Sequence, residues 1–80
     1  MTREEIIVKL TPIAEEIFQK PGMVLTDDMS AQNVDTWTSL AFMQFLTAIE
    51  EQFGFKFKMM ELLKLKTMGN ILDSMEQHLA

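Results

Sequence analysis

The chain has 80 residues, no cysteine and a formal net charge of −5 at neutral pH. That length leaves room for one domain, and the missing thiols exclude both a disulfide framework and a thiolate metal site, so packing alone must hold the fold together. The acid surplus excludes a nucleic-acid binder of the ordinary kind, which needs an excess of Lys and Arg to neutralise phosphates. Residues 55–66 nevertheless carry Lys56, Lys58, Lys64 and Lys66 against Glu61, a local +3 that leaves −8 for the rest of the chain.

In chain order, Thr2 with Glu5 three residues on forms a capping box, and Ile6, Leu10, Ile13 and Ile17 follow at helical spacing with Ile7, Ala14 and Phe18 alongside. The spacing predicts a first helix that Pro12 either kinks or restarts, because an interior proline removes one backbone hydrogen bond while Thr11-Pro12 is also a start signal. Lys20-Pro21-Gly22 closes it. Residues 23–38 are rich in Asp, Ser, Thr and Asn, with Val24, Leu25, Met29, Val34 and Trp37 as scattered apolar anchors. Such a segment reads as a long loop pinned to the core, and Trp37 as one of its pins.

A second helix is predicted from Ser39 to Phe53, with Phe42, Phe45, Leu46, Ile49 and Phe53 on its core face and Gly54 as its stop. Leu40 falls almost opposite that face and Met43 on its flank, so both are expected in solvent beside the polar Gln44, Thr47 and Glu51. Phe55 to Lys58 alternate apolar and basic but are too few for a sheet. Met59 to Lys64 suit one or two helical turns, and Thr67 caps a last helix with an Ile71, Leu72, Met75 and Leu79 stripe. The expected fold is all-α: a small four-helix bundle of three main helices and one short one, with a long loop between the first and second helices.

No catalytic set is visible. His78 stands alone and reads as a solvated surface residue, and no serine lies in a nucleophile elbow. Asp27, Asp28 and Asp35 lack the spacing and glycine of a calcium loop, so no metal is expected. The chain has neither a basic n-region with an apolar run nor the roughly 20 apolar residues that span a bilayer. A cytoplasmic monomer without a membrane span is expected.

The segment Trp37-Thr38-Ser39-Leu40, followed by Glu50-Glu51-Gln52-Phe53-Gly54, resembles the acyl carrier protein family. That family's attachment motif is Asp-Ser-Leu, often after Trp, on a helix ending Glu-Glu-x-Phe-Gly. Leu25-Thr26-Asp27-Asp28 is similar to the family's entry to the loop, and Leu65 to Ile71 to its lead into the last helix, so the likeness covers nearly the whole chain. The resemblance implies a carrier that is not an enzyme, with 4'-phosphopantetheine joined to the Ser39 hydroxyl by a phosphopantetheinyl transferase and an acyl thioester on the arm for acyl-loading and acyl-processing enzymes of fatty-acid, polyketide or related biosynthesis. Docking is expected through Leu40, Ala41 and Met43 with Glu50 and Glu51. Three positions depart from the pattern: Thr38 stands where the family has Asp, and Ala41 and Gln44 stand where it usually has acids. An unmodified interaction module using the Leu40 and Met43 patch, or a peptidyl or aminoacyl carrier, are the other readings.

Overall fold

The computed structural model describes residues 1–80 as four helices: α1 (Arg3–Phe18), α2 (Ser39–Phe53), α3 (Met59–Leu62) and α4 (Met68–His78). No residue is in a strand, and no helix is long and apolar enough to cross a membrane.

α1 starts at the Thr2 capping box, with Thr2 Oγ1 accepting from the Glu5 amide and the Glu5 carboxylate accepting from the Thr2 amide. It then runs unbroken through Pro12, with neither a restart nor an interruption. The amide that proline lacks would have bonded the carbonyl of Val8, and both residues are exposed, so water can serve that carbonyl. Gln19, in the left-handed region at φ 54°, ends the helix. The buried stripe is Ile6, Leu10, Ala14 and Phe18, each fully buried; Ile7, Ile13 and Ile17 pack at its margins. The i, i+4 set therefore forms the centre of the face, and the isoleucines that the sequence put there flank it.

α1 packs against both α2 and α4. Phe45, Leu46 and Ile49 of α2 meet Met68, Ile71, Leu72 and Met75 of α4 in one core, while Phe42 and Phe53 are half-buried at its edge. The residue 23–38 loop is pinned as expected by Leu25, Val34 and Trp37, whereas Val24 points into solvent. Trp37 stacks on Phe18 with ring centroids 5.0 Å apart and on Phe42 at 5.9 Å, so it joins the loop to α1 and α2 together.

The loop also closes the start of α4. The Met68 amide donates to the Met29 carbonyl at 2.8 Å and the Gly69 amide to the Asp27 carbonyl at 3.0 Å, pairing two donors that a helix start leaves without intrahelical partners. Arg3 adds a second tie: its guanidinium reaches Asp27 of the loop and Asp73 and Glu76 of α4. These three acids hold the Arg3 pKa above its ordinary value.

Candidate functional site

The local sequence builds the start of α2 in three steps. Asp35 pairs with Lys20 at 2.6 Å, which lowers the Asp35 pKa and fixes the loop to the end of α1. The Trp37 amide then donates to the Val34 carbonyl at 3.0 Å, turning the chain so that the indole enters the core. Thr38 follows in extended conformation, and its hydroxyl accepts from the Ala41 amide at 3.1 Å. Thr38 is thus the N-cap and Ser39 the first helical residue.

Ser39 is exposed. Because the Ala41 amide is capped and the Phe42 amide begins the helical ladder on the Thr38 carbonyl, the amides of Ser39 and Leu40 remain for an incoming group. Two free donors and the positive end of a 15-residue helix dipole favour an anion there. Beside Ser39 runs a groove of about 430 Å³, lined by Ala31, Gln32, Trp37, Phe42, Leu65 and Lys66. Its aromatic and aliphatic wall suits an uncharged chain, and Lys66 supplies a cation beside the helix start. An exposed hydroxyl, an anion-favouring helix end and an adjoining half-apolar groove fit a phosphodiester-linked arm.

The three serines differ in accessibility. Ser30 is buried, its amide donating to the Asn33 side chain and its hydroxyl to Gln32, and Ser74 donates its hydroxyl to the Glu61 carboxylate. The proposed docking set divides. Leu40 is 69% and Met43 59% exposed, and Glu51 also faces solvent. Ala41, by contrast, is buried at 8%: it lies four residues before Phe45 and eight before Ile49, on the core stripe, and offers a partner nothing. Glu50 is half-buried, with its carboxylate accepting from the Phe57 amide at 2.8 Å, so it fastens the segment after α2 rather than waiting for a partner.

His78 is likewise not a solvated surface residue. It stacks on Phe55 with centroids 4.4 Å apart, and its Nε2 bonds the Glu61 carboxylate at 2.8 Å. Glu61 also accepts from the Ser74 hydroxyl and the Lys58 amide, and these bonds hold its pKa down to about 2. This α3–α4 clasp escaped the sequence reading. Its only trace there is the i, i+4 spacing of Ser74 and His78, which places both on one side of α4.

Comparison with known proteins gives the class. Residues 8–75 match the family model described as "Phosphopantetheine attachment site". Similar solved structures include the holo acyl carrier protein of Geobacter metallireducens, 36% identical, covering 91% of this chain and 84% of that one at a TM-score of 0.83. A chain from Mycobacterium tuberculosis described as a putative acyl carrier protein is 19% identical, covers 94% and 96%, and has a TM-score of 0.75, which shows a shared fold. No curated protein matches the sequence. The chain therefore belongs to the phosphopantetheine-binding carrier family, and it is an acyl carrier protein rather than an enzyme. Its domain is of the kind to which 4'-phosphopantetheine is attached covalently through a serine.

Proposed function

We propose that Ser39 is the attachment serine and that the protein delivers an acyl thioester, carried on the arm, to enzymes of fatty-acid, polyketide or related specialised biosynthesis. The observation that carries this reading is accessibility at the helix start: of three serines, Ser39 alone combines an exposed hydroxyl with the unpaired amides of α2 and the Trp37–Leu65 groove. The groove beside Ser39 is lined by no carboxylate or imidazole, so activation of its hydroxyl falls to the transferase. The Ser39 and Leu40 amides and the α2 dipole then stabilise the phosphodiester, and Lys66 adds positive charge along the same groove. The arm supplies the thiol that this chain lacks. Tethering raises the effective concentration of cargo at each partner, which is how a carrier speeds chemistry it does not perform.

Docking in this reading uses Leu40 and Met43, which flank the attachment point, with Glu51 further along the same helix. Loading and processing enzymes matched to this surface form a dedicated set, because Gln44 is neutral and the segment after α2 is basic. The direct test is incubation with coenzyme A and a broad-specificity phosphopantetheinyl transferase. Wild type and Ser74→Ala should each gain one phosphopantetheine and Ser39→Ala none; a gain that survives in Ser39→Ala would refute the assignment.

A further inference from the structure

Glu61 decides which way α3 faces. It is the one acid among residues 55–66, and its carboxylate is taken up by the Ser74 hydroxyl, His78 Nε2 and the Lys58 amide, which fastens that side of the single helical turn to α4. The other side carries Met59, Met60 and Leu63, which are 73%, 68% and 64% exposed, with Leu62 beside them. None of the four residues of α3 is buried.

Four exposed lysines flank this turn along the chain. Lys58 and Lys64 lie toward α4, where they line the hollows beside Glu61, Lys66 lies toward Ser39 in the groove described above, and Lys56 precedes the turn. The result is an exposed apolar ridge with two exposed lysines before it in the chain and two after it, and with the one carboxylate of its segment turned inward. Asp73, on the α4 side of the Lys64 hollow, shares the Arg3 guanidinium with Asp27 and Glu76.

A protein partner would have to present a hollow shaped to this ridge and rimmed with acids. A bilayer surface requires no such shaping: methionine and leucine side chains enter the head-group region, and lysine ammoniums settle among lipid phosphates. We propose that α3 and its four flanking lysines form a peripheral attachment site for anionic phospholipid membranes. The −8 carried by the rest of the chain orients the contact instead of preventing it. Screening acts over about 8 Å at physiological salt, whereas the molecule measures 30 × 25 × 21 Å, so charges on its far side are hidden from the surface. Since Lys66 and Ser39 line one groove, the bound orientation also holds Ser39 close to the lipid interface. The site does not depend on the arm, and the protein without it is the right probe.

Co-sedimentation of the unmodified full chain with large vesicles tests the proposal. Vesicles of phosphatidylcholine with about a third phosphatidylglycerol should bind it at low salt about tenfold more tightly than pure phosphatidylcholine vesicles, and high salt should release it. The pairs Met60→Ser with Leu63→Ser, and Lys64→Gln with Lys66→Gln, should each weaken binding about tenfold at unchanged helix content. Val24→Ser removes an equally exposed apolar side chain elsewhere and should change nothing. Absence of binding to the anionic vesicles, or binding indifferent to the ridge and lysine pairs, would overturn the proposal. Loss of loading by a partner enzyme in the ridge variant, without vesicle binding by wild type, would also overturn it and give the ridge to a protein.

Discussion

The Thr38 hydroxyl accepts from the Ala41 amide at 3.1 Å, so the residue that departs from the family's Asp still performs the structural part of that position. What it omits is the charge. Thr38→Ala should lose about 1 kcal/mol of stability, read as a lower denaturation midpoint at unchanged m-value. Thr38→Asp should melt close to wild type yet accept phosphopantetheine faster from a basic transferase at low salt. Equal modification rates for wild type and the Thr38→Asp variant would remove electrostatic steering from the account.

A side chain at Gly69 would crowd the loop. A Cβ there would lie 3.0 Å from the Asp27 Cβ and 3.1 Å from the Asp27 carbonyl oxygen, at the place where loop and α4 are joined by hydrogen bonds. Gly69→Ala should gain helix propensity but force the loop outward, for a net loss of about 1–2 kcal/mol. Hydrogen exchange should show faster exchange at the Gly69 amide. A variant at least as stable as wild type would show that the loop yields freely.

The Glu61 clasp has a pH signature. Its pKa is lowered from 4.5 to about 2, chiefly by the Ser74 hydroxyl, so the ionised form is bound more tightly in the folded state than in the unfolded one. The contribution is complete above about pH 4.5 and disappears as the pH falls toward 2. Glu61→Gln should therefore cost on the order of 1 kcal/mol at pH 7, discounted for partial exposure, and the gap to wild type should close on acidification through that window. A gap independent of pH between 5 and 2 would contradict this role for the carboxylate.

Gln44 is exposed on α2 next to Met43, and in the proposed docking its neutral side chain selects partners. Loaded with the same acyl group, wild type should be a poorer substrate for a general fatty-acid ketosynthase than an ordinary acidic carrier, and Gln44→Glu should recover part of the difference through KM. Equal kcat/KM for wild type and the acidic carrier, with no gain in the variant, would show that the charge pattern does not select partners.

The sequence reveals the helices best where local signals agree with tertiary ones. α2 spans Ser39–Phe53 as read, because a capping threonine precedes it, a glycine follows it and its apolar period is strong. Local rules alone leave Pro12 ambiguous, and the packing of Ile6, Leu10, Ala14 and Phe18 carries the helix across it. Ala41 is easily misplaced because so small a residue hardly registers in an apolar pattern, although its spacing from Phe45 and Ile49 puts it on the core stripe. The Glu50–Phe57 bond and the Glu61–Ser74–His78 clasp join residues 7 to 17 apart across a change of direction, and no periodicity encodes them. The exposed ridge is hidden for the opposite reason: Met59, Met60 and Leu63 look like core material until the inward turn of Glu61 fixes their side.

The central claim, that this carrier bears its arm on Ser39, is tested most directly by mass spectrometry of the protein purified from its native host. Digestion and fragmentation should place one phosphopantetheine, free or acylated, on the Ser39 hydroxyl, in a peptide separate from Ser74. A native protein of unmodified mass under conditions where its pathway is active, or an arm located on Ser30 or Ser74, would contradict the account.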